Sequence, residues 1–131
     1  MAEEKTILIV DDEKTIVTIL RFNLESRGYR ILEAYDGEDG LKKARTQKPD
    51  LILLDIRMPV KDGIQTLREI RAMEDRKDIP VIMLTGMEDS HSVLESAKLG
   101  ICDYILKPFH DDDLRNRIQR ALDPEEKAWD K

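Results

Sequence analysis

Short aliphatic runs alternate with longer amphipathic stretches about five times along this chain. Residues 6–10 (TILIV), 51–54 (LILL), 81–84 (VIML) and 104–106 (YIL) are nearly uninterrupted. A strand with one wet face alternates apolar and polar residues, so a continuous run predicts a strand covered on both faces, as in a parallel sheet. Residues 29–34 are broken by Arg30 and Glu33 and are placed at a sheet edge. The intervening stretches carry helical periodicity. Ile16, Leu20 and Leu24, with Val17 beside them, mark a first helix that Gly28 stops. Leu41 and Ala44 mark a second, from about Gly37 to Gln47, in which Gly40 costs ~1 kcal/mol relative to Ala. Ile64, Leu67 and Ile70 mark a third, with Asp62 as its N-cap. Val93, Leu94 and Ala97 mark a fourth that ends at Gly100. Leu114, Ile118, Ala121 and Leu122 mark a fifth, with acids 111–113 at its positive end. Strict βα alternation predicts a doubly wound α/β fold with right-handed crossovers.

Ligands of such sheets bind at the carboxyl ends of the strands. Five polar residues stand there: Asp11 and Asp12 after the first run, then Asp55, Thr85 and Lys107, each directly after its own run. Three carboxylates packed together repel and raise one another's proton affinity, and a divalent cation resolves the conflict. Magnesium suits the set, because it takes one or two carboxylates, keeps several waters and binds phosphate oxygens. A carboxylate is also a nucleophile that can form an aspartyl phosphate, and Asp55 fits that role. The metal and Lys107 would neutralise the phosphoryl oxygens, and the Thr85 hydroxyl would donate to one of them. Each residue alone has a plainer reading. Asp11 and Asp12 read as a loop acid pair beside a helix start, Thr85 as a strand-end hydroxyl and Lys107 as a surface lysine. Their joint occurrence carries the inference.

The 131 residues suit one domain with a real core, read as residues 1–122 followed by a charged tail at 123–131. In that tail Pro124 stops the last helix, and Trp129 is either a docking anchor or exposed. A net charge of −6, with basic residues interspersed among acids, argues against a nucleic-acid surface. No apolar run approaches the ~20 residues of a membrane span, and the charged start does not read as a signal peptide. Cys102, the single cysteine, excludes an internal disulfide and reads as a packing residue in a reducing, cytoplasmic setting. His91 and His110 are not spaced for a metal site and read as surface residues.

The sequence resembles the receiver domains of bacterial two-component response regulators, the single-domain chemotaxis regulator among them. The resemblance runs from about Lys5 to Leu122. It rests on Ile-Val-Asp-Asp-Glu ending at Glu13, Leu53-Leu54-Asp55-Ile56-Arg57-Met58-Pro59 with Asp62-Gly63, Leu84-Thr85-Gly86, and Asp103-Tyr104-Ile105-Leu106-Lys107-Pro108-Phe109. It implies a flavodoxin-like (βα)5 three-layer sandwich whose five parallel strands run 2-1-3-4-5. It implies that Asp55 accepts a phosphoryl group from the phosphohistidine of a histidine kinase. Magnesium would be held by Asp12, Asp55 and the backbone carbonyl of Arg57, with Asp11 acting partly through water. Lys107 would pair with the acceptor and then with the phosphoryl group. Thr85 and Tyr104 would be a coupled switch that remodels the face of the fourth helix, fifth strand and fifth helix. On its residues alone, Tyr104 reads equally as an edge-strand aromatic with a wet hydroxyl. The family's usual cis bond would fall at Lys107-Pro108, where trans is the ordinary state of an X-Pro bond. Met58-Pro59 shapes the loop after the third strand, and Gly86 stands where the family often has alanine. The implied partners are a sensor histidine kinase or phosphotransfer protein, a downstream effector or output domain, and a phosphorylation-dependent second copy. Direct binding to nucleic acid or membrane is not implied.

Three other functions fit these residues less well. A magnesium phosphohydrolase with an aspartate nucleophile usually carries a second acid two residues later, and Arg57 stands there instead. The expected chemistry is therefore self-catalysed phosphotransfer and autodephosphorylation, not turnover of external substrates. A scaffold that never takes phosphate is opposed by the complete acidic triad with Thr85 and Lys107. A flavin or nucleotide binder is opposed because no Gly-rich phosphate loop follows the first strand.

Overall fold

Ten elements alternate through the described residues, as the hydrophobic runs predict. They are β1 (Thr6–Val10), α1 (Lys14–Glu25), β2 (Arg30–Ala34), α2 (Gly37–Gln47), β3 (Leu51–Asp55), α3 (Gly63–Arg71), β4 (Val81–Thr85), α4 (Ser90–Leu99), β5 (Asp103–Leu106) and α5 (Asp111–Leu122). The structure, a computed structural model, describes residues 4–86 and 90–123. Pro124 and Trp129 lie outside the described residues. All five strands are parallel, in the order β2-β1-β3-β4-β5. The strand order is the one expected, with the broken run as the β2 edge. Among the described residues no helix is long and apolar enough to cross a membrane.

Strand side chains alternate between faces, and the core divides accordingly. Ile7, Ile9, Leu51, Leu53, Ile82 and Leu84 pack against α1 and α5 through Val17, Leu20, Leu24, Leu114 and Ile118. Leu8, Val10, Ile52, Leu54 and Met83 pack on the other face against α2 and α3 through Leu41, Ala44, Leu67 and Ile70. With both faces covered, every residue of β1, β3 and β4 is buried. This explains why these runs lack polar interruptions.

The helix ends follow local chemistry. Asp36 and Asp62 cap α2 and α3 by accepting the N–H groups of Asp39 and Gln65, each at 2.8 Å. Gly28 takes φ +93° after α1, a conformation that favours glycine. At the lower end of the layer, Arg71 donates to the Gly100 carbonyl through Nε and Nη2 at 3.0 and 2.7 Å. Arg76 donates to the Ala44 carbonyl at 3.0 Å. Two guanidinium groups thus tie the ends of α4 and α2 to the segment around the end of α3.

Two glycines matter for packing. Gly40 was expected only to weaken α2, but it is buried, and a Cβ there would meet Val10 Cγ1 at 2.9 Å. The glycine lets α2 approach β1. At Gly63 a Cβ would meet the Asp55 carbonyl oxygen at 2.1 Å and Ile56 Cα at 2.7 Å, both backbone atoms. Gly63→Ala is therefore expected to destabilise the fold by about 3 kcal/mol or more, since backbone cannot yield as a flexible side chain can. Urea unfolding measures this, and a wild-type midpoint would refute the close approach.

Two sequence expectations need correction. Leu94 and Ala97 were read as the inward face of α4, but both are exposed, Leu94 by 56%. The inward face instead runs through Val93, Ser96 and Leu99, and Ser96 alone among the α4 residues with described burial is fully buried. A small polar residue at the centre of that face hid the true phase from an apolar count. Among the described residues, Ser96 Oγ is a buried side-chain oxygen without a hydrogen-bond partner. Ser96→Ala removes that cost and should raise stability by about 1 kcal/mol, read as a higher thermal midpoint. A lower midpoint would show that the hydroxyl is satisfied. Cys102, read as a packing residue, is exposed, because it lies just before β5 at the wet amino end of the strand.

Candidate functional site

The strand registers bring the five polar residues together. Val10 pairs with Leu54, so Asp11 and Asp55, each one residue further on, lie side by side. Asp55 is the last residue of β3 and pairs with Leu84, and Thr85 is the last residue of β4 and pairs with Leu106. The Lys107 N–H then donates to the Thr85 carbonyl at 2.7 Å, which fixes the lysine just beyond β5. The Lys107-Pro108 bond is cis, as the resemblance implied.

Asp11, Asp12 and Asp55 each offer an oxygen within 4.8 Å of the others. Asp11 and Asp55 are buried and Asp12 is exposed, so the cluster opens on one side. Burial, reinforced by the Asp11 charge, pushes the Asp55 carboxyl up to about 7, against the pull of Lys107. Burial also raises Asp11, despite its hydrogen bonds from Lys107 and the Glu13 N–H. Burial pulls the Lys107 ammonium down, but its hydrogen bonds to Asp11 and Glu13 outweigh this and its proton is held more tightly than usual. When all three are ionised, the carboxylates of the cluster exceed the one ammonium beside them by two charges. The donor set is all oxygen and suits a hard divalent cation.

Lys107 forms the expected ion pair with Asp55, but its hydrogen bonds go to two other carboxylates. Its Nζ lies 2.8 Å from Asp11 Oδ2 and 2.9 Å from Glu13 Oε1, but 3.7 Å from Asp55 Oδ1. Asp55 is an ion-pair neighbour only, and the hydrogen bonds of Lys107 go to Asp11 and Glu13. Glu13 closes the first motif, and sequence alone points to no role for it. The signal was a third acid directly after the pair, but only the fold shows that it meets a lysine 94 positions away.

Thr85 is 2% exposed at the rim of the cluster. Tyr104 lies apart from the carboxylates, paired with Met83 and half-buried against the α2 and α3 side of the core. Thr85 and Tyr104 thus occupy neighbouring strands, offset by two positions in register. Arg57 is exposed in the loop after β3 and lines a cleft with Ile56, Met58, Asp62 and Ser92. In the same loop the Lys61 N–H donates to the Pro59 carbonyl at 2.7 Å across Val60, which takes φ +72°. That is a tight three-residue turn with a β-branched residue in a strained conformation.

A family model described as the response regulator receiver domain matches residues 7–119. The chain belongs to the response regulator receiver family. As a receiver, it is 42% identical over 118 residues to the alkaline phosphatase synthesis transcriptional regulatory protein PhoP of Bacillus subtilis, across 90% of this chain and 48% of that protein. The receiver thus spans about half the length of that relative. The solved CheY-like receiver domain protein of Methanospirillum hungatei superposes with a TM-score of 0.90 at 32% identity, over 96% of this chain and 99% of that one. The receiver domain of sensor histidine kinase PA1611 from Pseudomonas aeruginosa superposes with a TM-score of 0.84 at 35% identity, over 92% and 98%. That structure has a magnesium ion coordinated in its active site cleft.

Proposed function

We propose that Asp55 is the phosphoacceptor of this receiver and takes a phosphoryl group from the phosphohistidine of a sensor histidine kinase or phosphotransfer protein. The observation that carries the reading is a buried carboxylate at the centre of a three-acid cluster, with Lys107 3.7 Å away. An Asp55 oxygen forms the bond to phosphorus as the donor's N–P bond breaks, and the electron pair returns to the imidazole nitrogen. Asp11, Asp12, Asp55 and the Arg57 carbonyl would hold magnesium, which when bound cancels carboxylate repulsion and phosphoryl charge. Lys107 moves its charge onto the phosphoryl oxygens, and the Thr85 hydroxyl donates to one of them. Thr85 moving toward the phosphoryl group couples to Tyr104 and shifts the α4-β5-α5 face between two packings.

The chain acts only on itself, taking up the phosphoryl group and losing it to water. The shifted face serves a downstream effector or output domain, or a second phosphorylated copy. The net charge of −6 disfavours direct contact with nucleic acid or anionic membrane by this domain. The receiver occupies residues 1–122, with residues 123–131 as a tail, and works in the cytoplasm. Acetyl phosphate with magnesium should add one phosphoryl group, seen by mass spectrometry, and a chelator should prevent it. An adduct indifferent to chelation would overturn the magnesium site.

A further inference from the structure

Glu13 stands at the N-cap position of α1, yet its side chain makes no capping hydrogen bond. Its main chain is held on both sides: its N–H donates to Asp11 Oδ1 at 2.9 Å, and its carbonyl accepts the Val17 N–H at 3.1 Å. The carboxylate is left to meet Lys107 Nζ at 2.9 Å. It lies outside the trio that can hold a metal and is 60% exposed, whereas the Lys107 side chain is 10% exposed. Among the described residues Lys107 therefore has two hydrogen-bonding anions, and Asp55 is neither of them.

A cation on the trio draws on the charge of Asp11, so that partner weakens while Glu13 keeps its full charge. Glu13 is also the partner that water can most easily take over. We propose that Glu13 is a positioning residue that holds the Lys107 ammonium short of Asp55 and competes for it with the incoming phosphoryl group. The inference rests on the reading of Asp55 as acceptor. A phosphoryl group carries nearly two negative charges and three strong acceptors, so it wins the ammonium, and Glu13 is released to solvent. Until then Glu13 slows capture, both by keeping the lysine and by repelling an anionic donor.

The test is Glu13→Gln, which keeps the shape and removes the charge, labelled by acetyl phosphate in saturating magnesium. An exposed ion pair is worth up to about 1 kcal/mol, so labelling should be about 2- to 5-fold faster than wild type. Magnesium affinity, read by calorimetry, should change less than about threefold, because Glu13 is outside the metal-binding trio. In a Lys107→Ala background the same substitution should give no acceleration, since the coupling vanishes once the lysine is gone. Equal or slower labelling by Glu13→Gln would overturn the proposal, as would the same acceleration without the lysine. The Lys107 ammonium signal in nitrogen-15 NMR, read with no donor present, should also move in Glu13→Gln. An unmoved signal overturns the contact whether or not the chain takes phosphate. A wild-type chain that takes no label would instead defeat the acceptor reading.

Discussion

Asp55→Asn takes no phosphoryl group from acetyl phosphate and magnesium under conditions that label the wild-type chain once. The amide matches the carboxylate in shape but offers no anionic oxygen to phosphorus, and it withdraws one of three charges from the cation site. The loss should be complete, because Asp11 already accepts the Lys107 and Glu13 hydrogen bonds and Asp12 is exposed. The fold should survive. Asp55 is a buried charge held by an ion pair at 3.7 Å and a hydrogen bond from the Ile56 backbone, and neutralising it relieves repulsion from Asp11. The variant should therefore melt at a higher temperature than wild type at pH 8 without metal. Mass spectrometry decides the first point, and equal labelling of both chains would remove Asp55 from the role.

Without metal, the protein should become less stable as pH rises from about 4 to about 7. Asp55 titrates at about 7 when folded but near its ordinary 3.8 when unfolded. Between those values the native state keeps a proton that the unfolded state has released, so stability falls with rising pH. Below the window both states are protonated, and above it both are ionised. A difference of that size corresponds to about 4 kcal/mol. Asp11 is raised in the same sense. Lys107, raised from 10.5, contributes fully throughout the window and loses its contribution only at higher pH. Excess magnesium should flatten the decline, because it binds the ionised carboxylates. Its affinity should rise with pH and level off above about 7. Thermal melts across pH, with and without magnesium, measure both. A metal-free stability that climbs from pH 4 to 7 would contradict the buried, charge-crowded Asp55.

Much of this was legible in the sequence because strands buried on both faces leave an unambiguous trace. The runs at Ile7, Ile52 and Ile82 placed β1, β3 and β4, and strand-end logic then placed Asp11, Asp55 and Thr85. Asp62 and Gly28 could be read because caps and stops are local chemistry. What escaped depended on tertiary contact. The α4 face was misread because its deepest residue is a serine. Gly40 looked like a defect because Val10, which needs the space, is 30 positions away in sequence. Lys107 could be assigned to the site, but not its division among Asp11, Glu13 and Asp55, which depends on ångström differences between strand ends.

The Arg71 guanidinium fastens the carbonyl that follows α4, while among the described residues the middle of that helix buries only the Ser96 hydroxyl and is otherwise held by an exposed ion pair between Glu95 and Arg68. A rod held firmly at one tip and loosely along its length behaves as a lever with its fulcrum at the held tip. If Thr85 moves as proposed, the helix has its firmest hold at Gly100 to turn about, and the sheet beneath it need not break.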